Sequence, residues 1–171
     1  ASLFDSSFAI GRGANGAVNS ILVLNDGKIL VGGEFTVIAG QPQLYLARLD
    51  SDGRLDPLFG TGTDGPVHHL LQQPDGKVLV AGGFTNLQGA ARQSVGRLLT
   101  NGMVDPDFDA GTNFASDEIV LTLGLQADGK ILAASYDWST YLLSRFKRLD
   151  GNGRLDDSFI NSNRFDYYVT A

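Results

Sequence analysis

The stretch DGKILVGGEF, residues 26–35, is followed by two close copies, DGKVLVAGGF at residues 75–84 and DGKILAASYD at residues 128–137. In each copy an Asp-Gly pair, which tolerates the positive φ of a tight hairpin turn, stands before a short apolar run. This pattern predicts that each copy turns out of one β-strand and into the next. Because the copies lie roughly 50 residues apart, the sequence predicts a repeat array.

Two further patterns recur in a fixed order with these copies. A D-x-x-F pattern closes each repeat and begins at four positions, namely Asp5, Asp56, Asp105 and Asp156. These positions are 51, 49 and 51 residues apart. An Arg-Leu pair precedes the last three of them by eight residues, at Arg48, Arg97 and Arg148. Three patterns with one common period indicate a repeat architecture rather than separate local motifs.

Each repeat contains four short segments that favour β-strands and are separated by turns. In the first repeat these segments are residues 17–25, 28–35, 44–50 and 54–59. No segment shows the apolar period of a helix over helical length, so we expect little helix. Four antiparallel strands in about 50 residues are the content of one β-propeller blade. The predicted fold is therefore an all-β β-propeller with three four-stranded antiparallel blades.

The whole chain, residues 1–171, is predicted to be a single β-propeller repeat domain. Its units are residues 9–59, 60–108 and 109–159, with residues 1–8 ending a preceding unit and residues 160–171 beginning a following one. Closed propellers usually have about four to eight blades. We therefore expect either a partial propeller from a longer array or half of an oligomeric ring.

The repeated unit reads D-G-K-[IV]-L-[VA]-x-G-x-F, then [AV]-x-R-L-x-x-x-G-x-x-D-x-x-F. This unit resembles the delta-60 repeat family of bacterial β-propellers, and the resemblance covers nearly the whole chain. It implies large bacterial proteins with tandem propeller repeats that are often secreted or associated with the cell surface. It implies no established catalytic residues, so no site residue is taken from the family.

The charged residues of the repeat are interpreted as structural. In a hairpin with a three-residue loop at residues 51–53, Arg48 faces Asp56 across the two strands. Opposite charges that face each other across strands stabilise a sheet by roughly 0.2–1 kcal/mol. We expect such a pair in every unit, rather than a binding site for an anion. Phe59, at the end of D-x-x-F, is expected to pack in the core between neighbouring units.

The composition argues against several classes of partner. The net charge of −6 and the pI near 4.7 disfavour nucleic acid, which clustered Lys and Arg residues bind. The same charge disfavours an anionic membrane surface, and no apolar run approaches the roughly 20 residues of a membrane helix. The chain has no cysteine, which excludes disulfides and cysteine-ligated metal.

Three local motifs are also interpreted as structural. G-x-G-x-x-G occurs at residues 11–16 and 60–65, but a strand rather than a helix follows, which predicts loops between units instead of a dinucleotide site. The Asp-rich turns at residues 50–53 and 150–153 lack the loop length and final Glu of an EF-hand, so turn chemistry is favoured over weak calcium binding. His68 and His69 are adjacent on a strand and point to opposite faces, so they cannot share a metal ion.

The third unit departs from the repeat at positions where the others have Gly-Phe and a longer loop. It carries Tyr136, Asp137, Trp138 and Tyr141 there, and Trp138 is the only tryptophan of the chain. Aromatic side chains with an acid nearby suit carbohydrate stacking or a protein-binding hot spot. The alternative is that they fill a gap in a divergent blade. These four residues are the candidate ligand-binding site.

The sequence predicts no catalytic residue, no cofactor and no metal ligand, because no Ser/His/Asp grouping or nucleophile elbow has a recognisable spacing. The predicted function is that of a non-enzymatic β-propeller binding and scaffold module of a secreted or surface-associated bacterial protein. Its ligand would be a protein or a glycan, and its further partners would be blades in cis or a homo-oligomer. The alternatives are a lectin-like carbohydrate-binding propeller that uses Trp138 and a fragment of a polysaccharide-acting propeller enzyme.

Overall fold

The computed structural model describes residues 13–139 and 142–159 of the chain. Within these ranges the protein is all-β, and its one helical element is a short 3₁₀ turn at Gly111–Asn113. Three antiparallel sheets of three strands each follow one another along the chain. The predictions of an all-β fold and of little helix are therefore confirmed.

The first unit contains five strands: β1 (Val18–Val23), β2 (Ile29–Gly33), β3 (Val37–Ile38), β4 (Gln41–Pro42) and β5 (Leu46–Leu49). β1, β2 and β5 form one sheet with β2 in the centre, whereas β3 and β4 form a separate small hairpin. Gly27, in the turn between β1 and β2, has a φ of 82°, as the Asp-Gly pattern predicts. The small hairpin lies between the second and third predicted strand segments, where the sequence predicted no strand.

The second unit repeats this arrangement with five strands: β6 (Val67–Gln72), β7 (Val78–Gly82), β8 (Asn86–Leu87), β9 (Ala90–Ala91) and β10 (Val95–Leu98). β6, β7 and β10 form the sheet, with β7 in the centre. The same local sequence therefore gives the same topology twice.

The third unit contains β11 (Glu118–Leu125), β12 (Ile131–Asp137) and β13 (Leu142–Leu149), which form one sheet with β12 in the centre. Its central and last strands are longer than those of the other units, at 7 and 8 residues. Within the described residues the third unit has no counterpart of the small hairpin. This agrees with the shortened loop that the sequence indicates.

The prediction of four full strands per unit is not confirmed. The fourth segment is reduced to single bridges that join Leu55 to Leu49, Val104 to Leu98 and Leu155 to Leu149. The D-x-x-F pattern explains the reduction. In the first unit, Asp56 N donates to Arg48 O at 2.8 Å, and Asp56 Oδ1 then accepts Leu58 N at 3.0 Å. Because this bond folds the backbone into a turn, the strand ends immediately after one bridge.

The Gly32-Gly33 pair in β2 faces a bulge in β1. The pairing register shifts between Val18 and Ser20, opposite these glycines. A Cβ at Gly33 would collide with the carbonyl oxygen of Ala17, and one at Gly32 would lie 2.5 Å from Val67 Cγ1 in the next unit. The glycines are therefore required by close approach within the sheet and between sheets.

Neighbouring sheets pack face to face through apolar side chains. One core joins the first unit to the second and contains Leu30, Leu46 and Phe59 together with Val67 and Leu70. A second core joins the second unit to the third in the same way and is built around Phe108. The prediction that the D-x-x-F phenylalanines pack between units is thus confirmed for Phe59 and Phe108.

Strand direction divides the molecule into two ends. The D-G-K turns and the turns after β5, β10 and β13 share one end, here called the turn end. The hairpins β3–β4 and β8–β9 and the loops between units lie at the opposite end, here called the loop end. No helix among the described residues is long and apolar enough to cross a membrane.

Candidate functional site

Each unit places one aspartate between an arginine and a lysine at the turn end. In the first unit, Asp56 Oδ2 accepts hydrogen bonds from Arg48 Nε and Lys28 Nζ, both at 2.9 Å. The equivalent distances are 2.8 and 3.0 Å around Asp105, and 2.9 and 3.0 Å around Asp156. The predicted pair of arginine and aspartate is confirmed in all three units. The lysine of D-G-K is a third member that sequence reasoning missed.

The neighbouring groups keep these carboxyl groups ionised. Burial alone would raise the pKa of Asp56 and Asp105, but hydrogen bonds from the lysines and from backbone amides, with the arginine charge, outweigh burial and lower the pKa. For Asp156, hydrogen bonds from Ser158 and Lys130 are the leading cause of a lowered pKa. A carboxylate held ionised in this way is a poor general acid near neutral pH. The lowered pKa values therefore favour the interpretation of the triads as structural.

Two of these arginines, Arg48 and Arg97, also connect their own unit to the next. Arg48 Nη1 donates to the carbonyl oxygen of Asn101, in a turn of the second unit, at 3.0 Å. Arg97 Nη1 donates likewise to Gly151, in a turn of the third unit, at 2.6 Å. Arg48 Cζ also lies 4.8 Å from the centre of the Phe59 ring, a cation–π contact. Arg48 and Arg97 thus each contact the end of their own strand, their own phenylalanine and the neighbouring unit.

The Asp-rich turns use their carboxylates for turn geometry. Asp50 Oδ1 accepts the backbone N–H groups of Asp52 and Arg54, both at 2.9 Å. Asp150 Oδ1 makes the equivalent two bonds in the third unit. This confirms the interpretation as turns. Among the described residues no group of three or more His, Asp or Glu side chains could hold a metal ion.

The two histidines connect units rather than form a site. His69 Nδ1 accepts the backbone N–H of Leu123, in the third unit, at 2.8 Å. His68 Nδ1 lies 3.5 Å from Asn19 Nδ2, in the first unit. Burial lowers the pKa of both imidazoles, and for His68 the charge of Glu34 opposes this shift. The prediction that they point to opposite faces agrees with these contacts, which lie in the third and the first unit.

Tyr136 and Trp138 form an aromatic pair at the loop end of the third unit. Their ring centres are 4.7 Å apart and the ring planes meet at 81°, an edge-to-face contact. Trp138 is 57% exposed, and its backbone N–H donates to the carbonyl oxygen of Asp117 at 3.3 Å. The structure therefore brings two of the four predicted site residues together. Tyr141 lies outside the described residues.

Asp137 is buried, so it does not offer a free carboxylate beside this pair. Its Oδ1 accepts hydrogen bonds from Ser139 N at 3.0 Å and from Ser139 Oγ at 2.6 Å. In the aligned copies, Asp137 occupies the position of Phe35 and Phe84, which are core residues. Successive residues of a strand point to opposite faces, so Asp137 enters the core side while Tyr136 faces away from it.

A buried charged cluster lies close to the aromatic pair and was missed from the sequence. Lys147 Nζ donates to Glu118 Oε1 at 2.8 Å, to Glu118 Oε2 at 2.7 Å and to Asn113 O at 2.6 Å. Ser135 Oγ also donates to Glu118. Lys147 Nζ lies 4.5 Å from the centre of the Phe114 ring. The cluster fixes the loop at residues 111–117, whose Asp117 carbonyl in turn holds the Trp138 backbone.

A position-by-position comparison of the units would have revealed this cluster. Glu118 stands where the other units have Gly16 and Gly65, and Ser135 stands where they have Gly33 and Gly82. A Cβ at Gly16 would lie 2.7 Å from the carbonyl oxygen of Glu34, so the first unit has no room there for a side chain. Polar residues at two positions that are close-packed glycines in the other units indicate that the backbone at the loop end of the third unit has a different conformation.

The family model described as "Domain of unknown function (DUF5122) beta-propeller" matches residues 24–59, 73–108 and 126–159, together more than half of the chain. The chain belongs to this family. DUF5122 is the family commonly called delta-60 repeat, so the resemblance drawn from the repeated patterns is confirmed. No curated protein and no solved structure matches the chain.

The three DUF5122 matches begin just before each D-G-K turn and end at each D-x-x-F phenylalanine. They therefore contain the arginine, aspartate and lysine of every triad. The third match also contains Tyr136 and Trp138, at the positions where this unit differs from the other two. Glu118 lies outside the matched ranges.

Proposed function

We propose that this chain is a non-enzymatic binding and scaffold module, with a protein-binding surface centred on Trp138. In this proposal each unit is one blade of a partial propeller or of half a ring, and the single-bridge segment after each turn takes the place of the fourth strand. The supporting observation is the exposed indole of Trp138, held edge-to-face against Tyr136. Tryptophan and tyrosine are the residues most enriched at the centres of protein interfaces.

The hydrogen bonds that hold the backbone of this aromatic pair favour binding by a preformed surface. The Trp138 backbone is held by the loop at residues 111–117, and the buried Glu118–Lys147 pair holds that loop. A side chain that is already fixed loses less conformational entropy on binding. The scaffold role is supported by the arginines, which connect successive units through backbone carbonyls.

The lectin-like alternative receives weaker support from the geometry. Sugar recognition combines an aromatic platform with hydrogen-bonding groups at its rim, and Asp137 was the acid expected to supply them. Asp137 is buried and bonded to Ser139 instead. The exposed indole remains compatible with stacking on a sugar ring, so the experiment must include glycans.

The test uses the intact chain against a displayed peptide library and a glycan array, side by side. The variant is Trp138→Ala, and Leu58→Ala is the matched control because Leu58 is exposed in the second D-x-x-F pattern. The proposal predicts peptide ligands that Trp138→Ala loses at least tenfold and that Leu58→Ala retains. Glycan binding lost in Trp138→Ala would favour the lectin-like alternative. Ligands that bind Trp138→Ala unchanged would contradict both.

The enzyme alternative requires convergent carboxylates in a pocket. Of the predicted site residues, only Asp137 carries a carboxyl group, and that group is turned inward. We therefore propose no reaction for this site. The location outside the bacterial cell, or on its surface, stays a prediction that fractionation of the native host with an antibody to this chain would test.

A further inference from the structure

A cavity of about 120 Å³ lies between the first and second sheets, at the turn end of the molecule. Its inner wall consists of buried apolar side chains, among them Leu30, Phe59 and Leu98. Its mouth lies between two turns, which contribute the exposed residues Asp26 and Thr100. The cavity is therefore apolar at its base and polar at its entrance.

The volume and the walls of this cavity suit one small ring. An engineered apolar cavity of about 150 Å³ inside a protein is large enough to bind benzene. Pockets that bind small molecules combine mainly apolar walls with a few polar groups that orient the ligand. The Phe59 ring forms part of the wall, and aromatic rings attract each other beyond the effect of burying their area. These features favour an aromatic ring as the buried part of a ligand.

One polar side chain in the wall keeps a free hydrogen-bond donor. Arg48 lines the cavity, and its side chain is 8% exposed. Its Nε donates to Asp56 and its Nη1 donates to Asn101, whereas its Nη2 has no acceptor among the described residues. Nη2 is not enclosed by protein atoms. Because a guanidinium group donates hydrogen bonds and accepts none, Nη2 fits an acceptor atom of a ligand.

The charges around Arg48 favour an uncharged acceptor. Asp56 already pairs with Arg48, and Asp26 lines the same cavity. A carboxylate on the ligand would approach Asp26, and like charges repel each other. A hydroxyl or carbonyl oxygen accepts the Arg48 hydrogen bond without this repulsion.

Two lining positions differ between the first interface and the second. Gln72 and Val78 line the cavity, and Leu125 and Ile131 are the equivalent residues of the third unit. Leu125 and Ile131 both pack in the core between the second and third units. Gln72 instead donates to the carbonyl oxygen of Gly76, in its own turn, at 3.4 Å. The first interface thus carries a smaller side chain and a side chain turned away from the core at these positions.

We propose that this cavity binds a small aromatic molecule that carries one uncharged hydrogen-bond acceptor, such as an aromatic alcohol. The ring enters between the sheets against Phe59, and its oxygen accepts a hydrogen bond from Arg48 Nη2. The ligand contacts both the first and the second unit, so its binding stabilises the interface between them. This site is separate from the Trp138 surface and does not depend on the protein-binding function proposed above.

The experiment titrates benzyl alcohol into the full chain and follows the methyl resonances of Leu30 and Leu98 by nuclear magnetic resonance. The double variant Gln72→Leu/Val78→Ile gives the first interface the residues of the second and fills the cavity. Val78→Ile alone is a milder second variant. Val23→Ile is the control, because it adds the same methylene group to a side chain that is 63% exposed. Circular dichroism confirms that each variant keeps its β-structure before it is scored.

The proposal predicts saturable shifts of both leucine residues, with a Kd of about 1 mM for so small a ligand. Val78→Ile should weaken binding about tenfold, because one methylene group in an apolar pocket has an effect of this size. The double variant should weaken binding further, and Val23→Ile should bind like the unmodified protein. Absence of shifts in the unmodified protein, or equal binding by the filled variants, would overturn the proposal.

Two charged relatives of the ligand test the requirement for an uncharged acceptor. Benzylammonium has nearly the same size as benzyl alcohol but no acceptor, and benzoate carries the charge that Asp26 opposes. Both should bind at least about tenfold more weakly than benzyl alcohol, since a buried donor discriminates against a ligand that leaves it unpaired. Binding of either relative as tight as that of benzyl alcohol would contradict the assigned roles of Arg48 and Asp26.

Discussion

Arg48 Nη1 donates a hydrogen bond of 3.0 Å to the carbonyl oxygen of Asn101, 53 residues further along the chain and in the next sheet. The same guanidinium binds Asp56 in its own unit through Nε. Arg48, which pairs with Asp56 within its own sheet, thus also contacts the neighbouring sheet and helps to fix its position. The repeat period of roughly 50 residues is therefore built into contacts between units as well as within them.

Replacing Arg97 with Met should destabilise the protein by about 3 kcal/mol, because Asp105 is buried and would keep only Lys77 as its charged partner. The substitution also removes the bond to Gly151. Urea unfolding followed by circular dichroism measures the change. The control is Arg54→Met, since the Arg54–Asp52 pair is exposed and should contribute less than about 0.5 kcal/mol. Equal effects of the two substitutions would contradict the assigned role of Arg97.

Replacing Phe59 with Ala should lower the free energy of unfolding by roughly 3–5 kcal/mol, because the ring is buried in the core between the first two units. The neighbouring substitution Leu58→Ala changes an exposed side chain and should have little effect. The same urea titration compares both variants. A loss below about 1 kcal/mol for Phe59→Ala would show that the ring does not fill this core.

Acid should destabilise the protein through carboxylates such as Asp64. Burial would raise the pKa of Asp64, but hydrogen bonds from the side chains and backbone of Asn86 and Thr85 lower it to about 2, from a normal 3.8. A carboxylate with a lowered pKa contributes stability above its unfolded pKa and loses that contribution as the pH falls through its folded pKa. Stability should therefore fall as the pH is lowered from about 5 towards 2.

The variant Asp64→Asn isolates this contribution, because Asn15 holds the equivalent hairpin of the first unit with the same acceptor geometry. Its stability, measured by thermal unfolding at a series of pH values, should fall less steeply in acid than that of the unmodified protein. Identical dependence of stability on pH in the two proteins would show that Asp64 does not contribute to the loss of stability in acid.

Replacing Glu118 with Leu should destabilise the third unit by about 3 kcal/mol, because Lys147 would lose its carboxylate partner inside the fold. Replacing Lys147 with Met as well should recover much of this loss, since an apolar pair avoids the buried unpaired charge. The free energies of unfolding of the unmodified protein, the two single variants and the double variant form a double-mutant cycle. Additive losses would mean that the two residues act independently.

The repeated features could be predicted from the sequence, because each is recorded three times in fixed order. The arginine opposite the aspartate, the phenylalanine between units and the D-G-K turns all follow from spacing and strand geometry. The reduction of the fourth strand to a single bridge could not be predicted. It arises because Asp56 also accepts the hydrogen bond that closes a turn, and this turn ends the strand pairing. A carboxylate that serves both as ion-pair partner and as turn acceptor looks the same in the sequence as one with a single role.

The candidate site could be predicted in part, for a related reason. Trp138 and Tyr136 were noticed because they interrupt the repeat, and the structure places them in contact. Asp137 was assigned to the same surface because it lies between them in sequence, but strand alternation turns it to the other face. Lys147 and Glu118 are far apart along the chain, so their pairing requires the register of the third sheet.

The central claim, that successive sheets pack face to face at this register, is tested most directly by nuclear Overhauser contacts between units. Ideal Cβ positions at Gly32 and Gly83 lie 2.5 Å from Val67 Cγ1 and 2.9 Å from Ile119 Cγ2. The α protons of these glycines should therefore give cross-peaks with the Val67 and Ile119 methyl groups, in the first and second interfaces respectively. Spectra with both glycines and both methyl groups assigned, but without these two cross-peaks, would contradict the packing.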